Sequence, residues 1–365
     1  MTRLEEIAAK ATRIRGLMDE RNLSAVALNT QANFAWITGG ADNYVGLSSD
    51  GGVATVVVTD SDIHVIASAI EAPRMADEEI ADLGFTLHEH PWIDDAAPAL
   101  VADIAGGPIG ADHGLSGAEN IAPDIARLRW QLLPPEVDRY RSVGRESARI
   151  VQDVAREIAP GMTELQISGL MEGKVFAAGL LPNVCLIAAD ERAYKYRHPI
   201  PTERELEKHV MLVIGARRWG LGISATRMVH FGPIPDELAR KHLSVCTVDA
   251  CFILGSKPGA RVSDIFNSAC DEYARQGFEG EWKLHHQGGA TGYAARDYKG
   301  DPTSTEVVLD QQAFAWNPSI AGTKSEDTVL ATPGGPEVLS PSGDWPKVTV
   351  EYGGETIDRP GILQR

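Results

Sequence analysis

Between Tyr196 and Arg227 the chain reads YRHPIPTERELEKHVMLVIGARRWGLGISATR, and this stretch narrows the available folds more than any other. A His-Pro turn leads into an apolar run, His209-Val-Met-Leu-Val-Ile214, of strand length. A glycine-containing turn follows, then a second strand ending in Ser224-Ala-Thr-Arg227. The stretch therefore predicts a strand–turn–strand unit with a histidine turn just ahead of it.

On either side the patterning alternates. Leu4, Ile7, Ala8, Ala11, Ile14, Leu17 and Met18 fall at helical spacing over residues 3–21. Strand-like runs follow at Ala25–Leu28, Val53–Val58, His64–Ala67 and Pro108–Ala111, with a helical pattern over 95–105. Strands alternating with helices argue for an α/β domain. Gln131-Leu-Leu-Pro-Pro135 reads as its boundary, because prolines interrupt a helix. Beyond it, residues 136–159 are strongly helical until Pro160-Gly161, and Thr163-Glu-Leu-Gln166 reads as a capping box. Helical patterns recur over 234–254 and 263–276, the latter closed by Gly277. Strands return at Ala313–Trp316, Asp327–Leu330 and Val348–Val350, and the tail 333–365 reads as packing on the domain surface.

Composition removes several functions. A length of 365 residues suits one large or two ordinary domains, and 43% hydrophobic residues are ample for their cores. A formal charge of −17 repels nucleic acid and anionic membrane, so neither is expected as a partner. No apolar run is long enough to span a bilayer and no secretory leader pattern opens the chain, so a cytoplasmic protein is expected. Cys185, Cys246, Cys251 and Cys270 show no metal-type spacing and read as inert thiols. His285-His286 is not read as a zinc motif, since adjacent side chains point apart and no thiolate is near.

The charged helix, the Pro-Gly-Met-Thr-Glu entry, the two strands before Arg227 and the Glu326-Asp-Thr-Val-Leu run resemble the creatinase, prolidase and aminopeptidase P family, the pita-bread enzymes. The likeness covers nearly the whole chain and is most specific from about 136 to 340. It implies an α+β fold: a creatinase-like α/β domain over 1–133, then a pita-bread catalytic domain over 134–365. It also implies a homodimer whose N-terminal domain, through Asn33-Phe34-Ala-Trp36 and Asn43-Tyr44, lies near the neighbour's active site.

Metal-dependent members hold two divalent ions through two Asp, one His and two Glu. Carried over, these positions fall on Val213, Ser224, Gly289, Asn317 and Glu326, and only Glu326 keeps its acid. The resemblance is therefore read toward creatinase, with no metal and no cofactor. The expectation is metal-independent hydrolysis of an amide, amidine or guanidino C–N bond in a small carboxylated metabolite. His198, in the turn His198-Pro-Ile-Pro-Thr202, would be the general acid and base, since an imidazole titrates near neutrality. Glu326 would orient it. Arg227, His285, Arg296, Asn317, Thr226, Ser224 and Tyr196 are the expected substrate contacts, and His286 is expected to pack elsewhere. Three other readings stay open: a metal-dependent Xaa-Pro dipeptidase, a non-catalytic pita-bread binding protein, and a lyase or decarboxylase using the same histidine.

Overall fold

The structure, a computed structural model, describes residues 1–365, which form two compact units, Met1–Glu136 and Val137–Arg365. No helix is long and apolar enough to cross a membrane.

The first unit is built on a six-stranded mixed sheet in the order β4-β3-β2-β1-β5-β6. These strands are β1 (Ala25–Thr30), β2 (Gly51–Thr59), β3 (Ile63–Ser68), β4 (Thr86–His90), β5 (Ile109–Ala111) and β6 (Glu119–Asn120). The helix Arg3–Arg21 opens with a capping box from Thr2 and Glu5 and buries Ile7, Ala11, Ile14, Leu17 and Met18. Lys10 on the same face is buried as well. Its ammonium is satisfied by Glu6 at 2.6 Å, Glu136 at 2.9 Å and the Trp36 carbonyl at 2.7 Å. Asn33–Trp36, which matches a family loop over a neighbour's pocket, lies in the helix Gln31–Thr38. Phe34 and Trp36 are wholly buried there, so they are core residues.

The second unit has two main sheets. One contains β7 (Leu181–Ala189), β8 (His209–Arg218) and β9 (Leu221–His230), antiparallel neighbours in that order. The other contains β10 (Gly288–Thr291), β11 (Tyr298–Lys299) and β12 (Ala313–Trp316). The small hairpin of β13 (Ser319–Ile320) and β14 (Thr323–Lys324) follows, then β15 (Asp327–Leu330) and β16 (Glu337–Val338) complete the second sheet. The two sheets are stitched where the Thr226 N–H donates to the Glu326 carbonyl at 3.0 Å. The Ser224 N–H likewise donates to the Thr328 hydroxyl at 2.9 Å.

The helices Asp236–Gly255 and Val262–Arg275 cover the second sheet through a core that includes Phe252, Phe266, Phe314 and Trp316. Phe252 and Phe314 stack on Trp316 at 4.5 and 5.5 Å. The Thr163 capping box forms as its residues imply, with Gln166 N–H on the Thr163 hydroxyl at 3.1 Å. The prolines at 134 and 135 do not interrupt a helix. They begin one, Pro134–Glu157, because the first turn has no use for their missing N–H.

The tail departs most from its expected surface packing. β17 (Lys347–Tyr352) and β18 (Glu355–Pro360) form a hairpin, and β19 (Ile362–Gln364) adds a parallel edge to β9. Arg359 on β18 reaches the core, donating to Asp249 at 2.6 Å and to Asp327 at 2.8 Å. Arg227 holds the other oxygen of Asp327 at 3.0 Å. All four side chains are buried, so deleting one charge strands its partners. Replacing Arg359→Met should cost about 3–5 kcal/mol, measured as a lower urea midpoint.

Candidate functional site

β8 and β9 alternate their side chains across the sheet. Thr226 faces β15 and donates its hydroxyl to Glu326 at 2.7 Å. Arg227, one residue on, points the other way, into the core beside Asp327 and the Ser340 carbonyl. Arg227 therefore leaves the set of expected substrate contacts: it is wholly buried, with Nη1 and Nη2 engaged inside the fold. Val213 is paired opposite Thr226, and Ser224 lies two residues before Thr226 on the same face.

Glu326 is buried and held from three sides. Lys324 Nζ lies at 2.7 Å, Arg296 Nη2 at 3.5 Å and the Thr226 hydroxyl at 2.7 Å. Burial by itself would raise its carboxyl, but Lys324 and Arg296 outweigh that and hold it below the usual range. Two cations thus share one carboxylate. Lys324 was missed by sequence reasoning: it ends β14, two residues before Glu326, and only the link between β14 and β15 brings its ammonium onto the carboxylate. Asn317 is buried nearby in the chain, its N–H on the Gln287 carbonyl at 3.0 Å and its side-chain oxygen without a partner.

Beside this patch three imidazoles converge. His198 Nε2 and His285 Nε2 are 3.1 Å apart, with ring centroids at 4.9 Å. The His286 ring lies 5.5 Å from His198 and 4.6 Å from His285. One ring nitrogen from each falls within 4.8 Å of the others. Burial lowers the pKa of all three, and Lys324 adds to the effect on each. Both effects favour the neutral imidazole, the form that binds a metal. His286, expected to pack elsewhere, belongs to the group. The signal was there in its adjacency to His285, but only the fold brings the His198 turn across both. Tyr196 is exposed and lies under the Arg192 guanidinium at 5.0 Å, at the rim.

The hairpin carrying Lys324 is clamped to the helix Glu191–Lys195, just ahead of the histidine turn, and to the start of β8. The Gly322 N–H donates to the Ala193 carbonyl at 3.2 Å, and His209 Nε2 lies 2.8 Å from the Gly322 carbonyl. Gly322 has φ 99°, and a Cβ there would sit 2.3 Å from the Tyr194 ring, so only glycine fits. His242 grips the next residue, with Nδ1 at 2.6 Å from the Thr323 hydroxyl and Nε2 at 2.9 Å from the Pro360 carbonyl.

Two metal arrangements can be tested against these residues. The two-ion carboxylate centre does not fit. Val213 and Gly289 supply no donor, Ser224 and Asn317 are neutral, and Glu326 is already engaged. Gly289 is also closed to any side chain: a Cβ there would lie 2.2 Å from the Tyr298 carbonyl oxygen. The three histidines could hold a single ion of the zinc type. Two nitrogens bound at about 2.1 Å to one tetrahedral ion stand about 3.4 Å apart, close to the His198–His285 spacing. His285 Nδ1 is buried without a partner, so only one of its nitrogens is spoken for.

A family model for metallopeptidase family M24 matches residues 138–333. An uncharacterized peptidase of Staphylococcus aureus is 24% identical over 228 residues, 59% of this chain and 64% of that protein. The chain thus spans a little under two thirds of that curated relative. Among solved structures, the prolidase from Pyrococcus horikoshii aligns over 92% of this chain and 98% of its own, with TM-score 0.78 and 18% identity. The Xaa-Pro dipeptidase from Bacillus anthracis aligns over 98% and 100%, with TM-score 0.79 and 17% identity. These likenesses give the fold, the two-domain α+β pita-bread architecture. The metal-free, creatinase-type reading is corrected here: the family is one of metallopeptidases, and three histidines that could hold an ion meet at the site.

Acid should loosen the clamp. Burial pushes His242 down to about 4 from 6.5. The unfolded chain therefore takes up this proton first, and stability should fall as pH drops through that window, by at most roughly 3 kcal/mol from this group. Urea midpoints at neutral and acid pH should show a shallower fall in His242→Gln than in the wild type.

Proposed function

The chain belongs to metallopeptidase family M24, and from that premise we propose that it hydrolyses the C–N bond of a short peptide in a metal-dependent reaction. The observation that carries the reading is the meeting of His198, His285 and His286 beside a buried carboxylate shared by two cations. Solved structures with this fold include a prolidase and an Xaa-Pro dipeptidase, which makes dipeptides the first substrates to try.

In this reading the three imidazoles would hold one divalent ion, which would supply water activation and carbonyl polarisation. The remaining work falls to the chain. Lys324 and Arg296 together exceed the charge of Glu326, and the free carboxylate of a short peptide answers that excess. Glu326 stays ionised and keeps both cations aimed at one place. Thr226 fixes the Glu326 carboxylate from below. Asn317 offers its unpartnered oxygen to a peptide N–H, and Ser224 adds a hydroxyl on the same face as Thr226. Tyr196 forms part of the rim. A small carboxylated substrate is thus kept from the sequence reading, now as a peptide.

The test is hydrolysis of Xaa-Pro and other dipeptides by protein stripped with a chelator and resupplied with zinc or manganese. Turnover should return with the ion and fall when the peptide's carboxylate is amidated. Lys324→Met should raise KM about tenfold or more, the loss of one charge-assisted contact of roughly 1.5–3 kcal/mol. Turnover indifferent to chelation, or none with any ion, sinks the proposal.

A further inference from the structure

Glu164 is the first residue of the helix Glu164–Ala177, and its side chain is wholly buried. A carboxylate suits a helix start, but burial is costly unless its oxygens are satisfied. Here each oxygen has two donors. Oε1 accepts from the Ala189 N–H at 2.8 Å and Arg192 Nε at 2.9 Å. Oε2 accepts from the Thr202 N–H at 2.9 Å and the Thr202 hydroxyl at 2.8 Å.

These partners bracket a loop. Ala189 ends β7, Thr202 lies four residues past His198, and residues 190–201 between them carry the helix Glu191–Lys195 and the histidine turn. Arg192 extends the closure, donating its Nη2 to the Ile200 carbonyl at 2.7 Å while its Nε stays on Glu164. At the loop's start Asp190 sits at φ 53° and ψ −120°, a conformation that L-residues avoid. Its carboxylate accepts the N–H groups of Glu207 at 2.8 Å, Lys208 at 2.9 Å and His209 at 2.9 Å, which holds the strained turn in place. On the far side Arg197 pairs with Glu281 at 2.6 Å, just before His285 in the chain. The loop is therefore tied at its base by one buried carboxylate and at its tip to the segment that carries the other histidines.

We infer that Glu164 is a positioning residue for His198: by closing residues 190–201 at their base, it sets the approach of His198 to His285. Glu164 touches neither histidine and acts only through the loop. The inference rests on the proposed function for the importance of that approach, but its geometry can be read without any substrate or metal.

The experiment uses the full chain and Glu164→Gln, which keeps the shape and sets an amide N–H₂ against donors. The nuclear Overhauser contact between the His198 and His285 imidazole protons should be lost. Hydrogen exchange over 190–201 should speed about tenfold or more while β8 stays protected. With a dipeptide substrate, kcat should fall about tenfold or more while KM changes little, as expected for misplaced reacting groups. An intact Overhauser contact with unchanged exchange in 190–201 would overturn the inference. So would exchange rising equally across the whole second unit, the mark of a merely structural carboxylate. If Glu164→Gln does not fold, Arg192→Met removes the links to Glu164 and Ile200 but leaves the Ala189 and Thr202 donors on the carboxylate, and should show the same changes in smaller measure. A wild-type protein that turns over no peptide would end the peptidase reading, while the Overhauser and exchange results would still decide the role of Glu164.

Discussion

Four buried charges in a row, Arg227, Asp327, Arg359 and Asp249, fix the second unit. Ions removed from water must find partners inside, and here each partner comes from a different element: β9, β15, β18 and the helix Asp236–Gly255. Ser340 adds a hydroxyl to Asp327 at 2.8 Å and Ser325 another to Asp249 at 2.5 Å. The row is thus a registry device. If any strand slipped by one residue, its charge would face the wrong side and be left bare. Glu326 precedes Asp327, so the network that locks one face of this segment also aims the other face at the histidines.

Much of this was legible from the residues. Helical spacing and a capping box located the long helices, and the apolar run from His209 located β8. The family was legible as well, through the strand pair and the Glu326 run. The failures have a common cause, which is contact between segments far apart in the chain. Arg227 looked like a substrate contact because a guanidinium grips a carboxylate with two parallel hydrogen bonds. Its side chain faces away because alternation along β9 gives that face to Thr226. His286 looked irrelevant beside His285, and Arg359 looked like part of a surface tail. Neither reading could foresee a loop 87 residues earlier in the chain than His285, or a buried aspartate 110 residues earlier than Arg359.

The chemistry of the site follows from an exchange of charge. Where the family pattern places acids around two ions, this chain has three imidazole nitrogens within 4.8 Å of one another, with Lys324 and Arg296 on the remaining acid. A centre lined in this way favours anionic ligands over cationic ones. It also links its two halves, because the helix that leads into the histidine turn is joined to the Lys324 hairpin at Gly322.

Gly289 limits what the site can become. Its Cα faces the Tyr298 carbonyl so closely that no residue with a side chain can stand there without moving the strand. A histidine at 289 would require the pairing of β10 with β11 to be rebuilt, and β10 also pairs with β12 on its other edge. Redesign of this site toward the two-ion pattern is therefore a change of backbone before it is a change of side chain.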